Sequence, residues 1–333
     1  MTRRLAKSVG IVATGQFYPE RIVTNHDLAQ MVDTNDEWIT TRTGIQERRW
    51  VEPGVGSSDL GAEALKMALQ QRGLHADDLD AIVACTVTPD MFFPCTAALI
   101  QHKVGATKAF GFDLNAGCSG FLFGLTTGAS MVAGGGFKRV AVVGCEVMTS
   151  IMDKTDRNTA VLFGDGAGAV ILEEVEEGLG IQDFEHHIDG SGGPFLCMPA
   201  GGSLRPSTHE TVDARQHFIH QQGPEVYKNA VRDMAEVSRL MLDRNQVDPA
   251  DLSLFIPHQA NIRIMEAAAK RLELPLERMA NNIVRYANTT AATIPTAMHQ
   301  SVEAGRLKKG DLVVLAAFGA GFTWGGTLLR WAY

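Results

Sequence analysis

Ala76-Asp77-Asp78-Leu79-Asp80-Ala81-Ile82-Val83 and Pro249-Ala250-Asp251-Leu252-Ser253-Leu254-Phe255-Ile256 are two versions of one pattern, a short acidic turn running into an apolar strand. The likeness continues downstream of both. A helix is expected around 96–104 and around 262–272, then a second strand, then a polar turn carrying Asn115-Ala116-Gly117-Cys118 or Ala287-Asn288-Thr289-Thr290. A helix of small residues runs on to Ala133-Gly134 or Ala304-Gly305, and another strand comes next at 139–144 or 311–318. Each block ends in a Gly-rich hairpin signal, Phe163-Gly164-Asp165-Gly166-Ala167-Gly168 or Phe318-Gly319-Ala320-Gly321-Phe322-Thr323-Trp324-Gly325-Gly326. Apolar strands alternating with helices argue for an α/β protein with helix-covered sheets. Two duplicated halves, 1–178 and 179–333, are expected to lie face to face, with their boundary near 173–180.

Composition narrows the class. The 333 residues are 45% apolar and 20% charged with a formal charge of −8, ordinary for a soluble globular chain. No long Lys/Arg run or basic-aromatic stripe is present, which argues against nucleic acid as a partner. Five scattered cysteines without a CxxC pair read as reduced thiols in a cytosol. The basic start Arg3-Arg4-Leu5-Ala6-Lys7 leads into too short an apolar stretch for an export signal and reads as an opening strand. The uncharged run 114–137 is long enough to span a bilayer. Its Asn115, Ser119, Thr126, Thr127 and Ser130, with many glycines, instead favour a helix buried in the centre of a large fold, and no membrane association is expected. Residues 186–222, rich in Gly, Pro, His and Ser, read as irregular, mobile and channel-lining.

Most cysteines only pack, and Cys85, Cys95, Cys145 and Cys197 take that reading. Cys118 departs from it. It lies at the hinge between a short strand and a long apolar helix, where unpaired backbone N–H groups and the helix dipole favour a thiolate. A free thiol titrates near about 8.5, and such a site is expected to lower it by a unit or more. The small residues around Cys118 leave room for a substrate.

His258, in Pro257-His258-Gln259-Ala260-Asn261, follows a strand at the end where α/β sheets place ligands. The other histidines read as structural. His186-His187 and His217/His220 lack an accompanying Cys or carboxylate cluster, so no metal is expected. If the halves are related, Cys118 and Asn288 occupy equivalent helix starts and converge with His258 at a pseudo-twofold axis. A thiol, an imidazole and an amide suit acyl transfer. The thiolate attacks a thioester, backbone N–H groups of Cys118 and of the 319–321 turn hold the first oxyanion, and His258 and Asn288 donate to a second, the enolate of a decarboxylated malonyl thioester.

These residues resemble the β-ketoacyl-acyl carrier protein synthase III family of condensing enzymes over nearly the whole chain. The resemblance is carried by Asp36-Glu37-Trp38-Ile39-Thr40-Thr41-Arg42-Thr43-Gly44-Ile45, by Ala116-Gly117-Cys118-Ser119-Gly120-Phe121, and by Leu162-Phe163-Gly164-Asp165-Gly166-Ala167-Gly168-Ala169. It continues in Pro257-His258-Gln259-Ala260-Asn261, in Asn288-Thr289-Thr290-Ala291-Ala292, and in Phe318-Gly319-Ala320-Gly321-Phe322-Thr323-Trp324-Gly325. It implies a thiolase-like five-layered αβαβα sandwich, a cytoplasmic homodimer, and a ping-pong decarboxylative Claisen condensation that starts fatty acid synthesis. An acyl-CoA primer would load Cys118, malonyl-acyl carrier protein would supply the nucleophile, and no cofactor beyond the CoA thioester would take part.

By motif match, Trp38 and Arg157 would sandwich the CoA adenine, with Arg42 near its phosphates. Lys228, Arg263, Lys270 and Arg271 would dock the acidic carrier protein, against a plain reading as solvated surface charges. Ala320 would supply an oxyanion N–H. Phe93 matches a position where a bulky side chain shortens the acyl channel, sometimes from the partner subunit, which implies a short primer such as acetyl-CoA. Small departures accompany the match: Gly117 and Ser119 flank the cysteine where the family often has alanines, and Ala287 and Ala320 stand where it often has glycine. Chain-elongating synthases and thiolases use His or a second Cys in place of Asn288. Plant-type polyketide synthases are longer, with a Pro in the last Gly-rich turn. A condensing enzyme of secondary metabolism with an unusual or aromatic primer is the main alternative, and a non-catalytic acyl-CoA-binding protein is a more distant one.

Overall fold

The structure, a computed structural model, describes residues 2–333. Nine principal strands form two sheets. The first combines β1 (Val9–Phe17), β2 (Ala81–Cys85), β3 (Phe110–Leu114), β4 (Val140–Glu146) and β5 (Gly166–Glu174) in the order β1-β5-β4-β2-β3. The second combines β6 (Gly180–Ile188), β7 (Leu254–Pro257), β8 (Leu312–Gly319) and β9 (Thr323–Arg330) in the order β7-β8-β9-β6. Taken from the other edge, the second order runs β6-β9-β8-β7 and repeats the first four strands of the first sheet, β1-β5-β4-β2. The parallel pair β2–β4 is matched by β7–β8, and the antiparallel pair β4–β5 by β8–β9.

Side-chain alternation explains the layering. In β8, Val313, Leu315 and Ala317 point to the middle of the molecule, and Val314, Ala316 and Phe318 point outward. In β4, Val140 and Val142 point inward while Ala141, Val143 and Cys145 point out. A strand with apolar residues on both faces must be covered on both. Helices α2 (Ser57–Arg72) and α3 (Thr96–Val104) cover the outer face of the first sheet. Helices α5 (Gly223–Arg244) and α6 (Ile262–Arg271) cover the second, α5 laying down the stripe Ala230, Met234, Val237, Met241 at helical spacing. Between the sheets lie α4 (Gly120–Ala133) and α7 (Thr293–Glu303). This is the expected five-layered αβαβα sandwich.

The uncharged stretch is thus α4, an interior helix, and no described helix is long and apolar enough to cross a membrane. Burying a Leu or Phe such as Leu122, Leu125 or Phe121 contributes roughly 1.5–3 kcal/mol each, and these three are fully enclosed.

The repeat is imperfect in two places. The strand expected after α6 shrinks to a single bridge, Phe255 to Met279, because the chain there coils through a turn at Leu276–Arg278 and a short helix at Ile283–Tyr286. In the first half the Gly-rich segment is not a tight hairpin. Residues 147–165 separate β4 from β5 and carry Arg157 and Phe163 toward the site, whereas β8 and β9 are joined directly through residues 320–322. The 186–222 stretch has short elements of its own. Leu196–Cys197 pairs with His220–Gln221, and a helix at His209–Asp213 is capped by Thr208.

Candidate active site

Two loops from opposite halves meet backbone to backbone beneath Cys118. Gly117 turns the chain with φ +56°, and a Cβ there would come within 2.8 Å of the Ala320 N. A Cβ on Gly319 would overlap the Cys118 N. Only glycine permits this approach. Ser119 Oγ donates to the Thr323 carbonyl (3.1 Å), and Thr323 Oγ1 donates to the Ala116 carbonyl (2.7 Å), so the halves are stitched on both sides of the cysteine.

Cys118, His258 and Asn288 line one cavity of about 200 Å³, together with Phe163, Phe318 and Gly319. The fold thus brings together the three side chains that the sequence pattern singles out. His258 follows β7, its N–H bonded to the Ala316 carbonyl at 2.7 Å, and is 1% exposed. Its Nδ1 lies 2.7 Å from Thr293 Oγ1, while its Nε2 is buried without a partner. Burial holds its pKa down at about 3, so the imidazole is neutral at neutral pH.

Asn288 is fixed by the first half: its N–H donates to the Leu162 carbonyl (3.0 Å), and its carbonyl accepts from Gly164 (3.1 Å). Its Oδ1 accepts from the Thr290 N–H at 2.8 Å, which fixes the amide and leaves Nδ2 without a hydrogen bond among the described residues. Ala287, just before it, adopts φ +57° and ψ −160°, backbone space that glycine favours. The strain costs of order 1–3 kcal/mol. Such a bend explains why the resembling family often has glycine there.

The thiol behaves differently from the expectation. Burial, and then the nearby Glu146 carboxylate, push Cys118 up to about 12, outweighing its own backbone N–H and the Thr290 hydroxyl, which pull it down. A helix start beside a cysteine is legible in sequence; a buried carboxylate behind it is not. Glu146 ends an otherwise apolar strand, and nothing in its sequence context marks it. It is fully buried, accepts from Thr86, Val87 and Thr88, and burial raises it to about 7.

A second cavity of about 450 Å³ opens from Cys118 on another side. Its lining is mostly apolar, including Met148, Ile151, Leu196 and Ile219, with Ala320 and Thr290 near the sulfur. Phe93 is not part of it. That side chain is 84% exposed, beside Phe92 at 82%, because the loop before α3 carries both away from the body of the chain. Within one chain it therefore closes no acyl channel, which leaves the expected arrangement in which it reaches in from a partner subunit. Cys197, expected only to pack, also lines this cavity.

Trp38 and Arg42, on α1 (Asp36–Thr43), meet Arg157 near the mouth. The Arg157 and Arg42 guanidinium carbons lie 4.6 Å and 4.8 Å from the Trp38 ring centre. Asn261, which lines the 200 Å³ cavity, donates to the Arg42 carbonyl at 2.9 Å and so ties this aromatic platform to the site. Lys228, Lys270 and Arg271 line a groove between α5 and α6, and Arg263 stands 5.7 Å over Tyr227, itself at the cavity wall. None of these four cations makes an ion pair among the described residues. A cleft of about 950 Å³ beside α2, with acidic and basic walls, holds none of the three central residues. No group of three or more His, Cys, Asp or Glu side chains suited to a metal is present among the described residues.

The raised thiol has a direct consequence for reactivity. With Cys118 at about 12, each unit of pH below that lowers the thiolate fraction about tenfold. Alkylation of Cys118 by iodoacetamide in the free protein should therefore climb steadily between pH 6 and 9. A plateau near pH 7 would show that the helix start dominates after all.

Comparison with known proteins gives one consistent answer. Residues 112–190 match the family described as 3-oxoacyl-[acyl-carrier-protein (ACP)] synthase III, and residues 242–331 match its C-terminal part. A beta-ketoacyl-[acyl-carrier-protein] synthase III from Solibacter usitatus (strain Ellin6076) is 55% identical over 326 residues, covering 97% of this chain and 98% of the relative. One from Koribacter versatilis (strain Ellin345) is 52% identical over 325 residues, with the same coverage of both chains, 97% and 98%. The crystal structure of 3-oxoacyl-[acyl-carrier-protein] synthase III from Aquifex aeolicus VF5 has a TM-score of 0.90 to this fold at 40% identity, covering 97% of this chain and 100% of that one. A duplicated sandwich, a shared cavity for thiol, imidazole and amide, and relatives matched end to end make this chain a member of the β-ketoacyl-[acyl-carrier-protein] synthase III family.

Proposed function

We propose that this enzyme condenses an acyl-CoA primer with malonyl-acyl carrier protein, with loss of CO₂, and so starts fatty acid synthesis. The observation that carries the reading is the position of the Cys118 sulfur. It stands between a narrow cavity shared with His258 and Asn288 and a wider apolar one. The first suits a polar reacting group, the second an acyl tail.

In the loading step Sγ bonds to the primer's carbonyl carbon and the carbon–sulfur bond to CoA breaks. The thiol proton leaves on the CoA sulfur. Backbone N–H groups of Cys118 and Ala320 stabilise the oxyanion. In the condensing step the malonyl carbon–carboxylate bond breaks. Its electron pair becomes an enolate, whose oxygen is held by His258 and Asn288. The enolate carbon attacks the acyl carbon, and the bond to Cys118 breaks. A proton taken up from solvent returns the departing thiolate to the thiol, and the steps use no group beyond the two thioesters.

Trp38 and Arg157 take the adenine of CoA between them, with Arg42 toward the phosphates. In the free chain Arg157 rests on the indole, so the base enters by displacing it. Cation–π stacking of this kind contributes about 0.5–1 kcal/mol at an exposed site. The unpaired Lys228, Arg263, Lys270 and Arg271 guide the anionic carrier protein, despite the chain's overall charge of −8. The enzyme works as a homodimer in the cytosol. Support comes from the exposed Phe92 and Phe93 and from β3, an edge strand whose outer side has no partner in this chain. A second copy pairing there supplies Phe93 to the neighbouring acyl cavity and shortens it, which favours an acetyl primer. The cavity volume favours a second reading, a longer or aromatic primer, because an acetyl group fills little of about 450 Å³.

Three experiments separate these readings. Acetyl-CoA should leave a covalent acyl adduct by mass spectrometry that is absent in Cys118→Ala and kept in Asn288→Ala, while malonyl decarboxylation by Asn288→Ala drops about 10²-fold, the usual cost of one oxyanion donor. Loss of loading alone in Asn288→Ala contradicts the assigned role. A panel from acetyl- to dodecanoyl-CoA should load acetyl fastest, and equal rates would favour the larger primer. Arg263→Glu should raise KM for carrier-bound malonate about tenfold with primer loading unchanged, whereas an equal fall in both half-reactions would mark Arg263 as structural.

A further inference from the structure

We propose that Thr293 is the positioning residue that sets the tautomer of His258, by donating its hydroxyl proton to Nδ1 and so keeping the ring proton on Nε2. The inference rests on the condensing reading above and deepens it, because a neutral imidazole stabilises an enolate oxygen only if the nitrogen facing that oxygen carries the proton.

The geometry decides between the two tautomers. Thr293 Oγ1 lies 2.7 Å from Nδ1 and 3.0 Å from the Thr290 carbonyl. The hydroxyl has one proton to give. The Thr290 carbonyl already accepts the Thr293 N–H, so it does not depend on the hydroxyl. Nδ1 has no other described donor, and the shorter contact is the one to the ring. Thr293 is 1% exposed, so its hydroxyl is out of reach of bulk solvent.

The other end of the ring agrees. Nε2 is buried without a hydrogen bond, and it belongs to the wall of the cavity that also holds Asn288. The Asn288 amide is turned by the Thr290 N–H so that its Nδ2 is the free end. The buried, unpartnered Nε2 and the free Asn288 Nδ2 on one small cavity form a receptor for a substrate oxygen, and a buried orphan such as Nε2 calls for a ligand. Burial keeps the ring from becoming imidazolium, so the tautomer alone controls what Nε2 offers. One short turn therefore carries Asn288, the Thr290 N–H that orients it, and the Thr293 hydroxyl that orients the histidine.

The test is an ¹⁵N-histidine NMR spectrum of the intact protein, with Thr293→Val and Thr293→Ser alongside. Wild type and Thr293→Ser should show His258 with a protonated Nε2 and a bare Nδ1. Thr293→Val should move population to the Nδ1–H form. In the half-reactions, Thr293→Val should lose about 10²-fold in malonyl decarboxylation while acyl loading of Cys118 stays within about threefold, and Thr293→Ser should restore decarboxylation. An Nδ1–H tautomer in the wild type overturns the proposal, even if Thr293→Val fails to fold. So does wild-type decarboxylation by Thr293→Val. Failure of Cys118 to acylate at all would instead sink the condensing reading, while the spectrum would still decide the tautomer.

Discussion

The contact on which the rest depends is the backbone-to-backbone meeting of 117–118 with 319–320. A single Cβ at Gly319 or Gly117 would force the two loops apart. Displacement there would move the sulfur, the Ala320 N–H and the start of α4 together, since Ser119 and Thr323 bond each loop to the other half. Interiors packed as tightly as crystals pass on such shifts instead of absorbing them. The duplicated architecture is what allows the contact. Two half-molecules that share a four-strand order bring equivalent helix starts to the same axis, and α4 and α7 fill the layer between the sheets. The site is thus assembled across the junction of the halves, and Asn288 is held by Leu162 and Gly164 of the other half through its backbone.

That placement fixes the electrostatics. A cavity this enclosed penalises every charge, so the resting groups are a neutral thiol, a neutral imidazole and an amide. Glu146 is the exception nearby. It is retained by hydrogen bonds from Thr86, Val87 and Thr88, and burial raises its carboxyl to about 7 against the pull of those bonds. Its bonds hold the loop after β2 in place, and Val87 of that loop lines the apolar cavity. A carboxylate placed for structure therefore acts on the reactive sulfur through space, working against the helix start beside it.

The pattern of the chain revealed the repeat because periodicity is local. The strands at 81–85 and 254–257, the interior helix after Cys118 and the glycine turns all follow from short-range spacing. Cys118, His258 and Asn288 stand out because their residue types make one chemistry and because the repeat predicts that two of them converge. Trp38, Arg42 and Arg157 came from motif resemblance, and the fold brings them into one stack. What stayed hidden depends on neighbours distant in sequence. The thiol's resistance to ionising comes from burial and from Glu146, 28 positions away. Phe93 matches an acyl-channel position by motif resemblance alone, and the resemblance does not say which chain's cavity it serves: its loop turns outward, away from the cavity of its own chain, because packing sets a loop's direction. The missing fifth strand of the second sheet gave no warning, since Met279 lies in a stretch whose turn and short helix override a weak strand pattern.

Thr293 shows how a residue with no chemistry of its own becomes part of a mechanism. In sequence it is one more β-branched residue at the start of a buried helix, and the usual fate of a threonine there is to bond back to a carbonyl one turn earlier. Here that carbonyl also accepts the Thr293 N–H, and the hydroxyl lies within reach of both it (3.0 Å) and, more closely, the ring of a histidine 35 positions upstream (2.7 Å). The helix start that mirrors the one after Cys118 thereby gains a different task. At Cys118 the residue's own backbone N–H faces the sulfur, while the Ser119 and Gly120 N–H groups are taken by the Ala116 and Gly117 carbonyls; at Asn288 the Thr290 N–H faces the amide oxygen and leaves the amide's donors free. Duplication supplied two similar helix starts, and the side chains at each divide the work. On the proposed reading, one start carries the atom that is acylated, and the other carries the donors for the charge that develops when CO₂ departs.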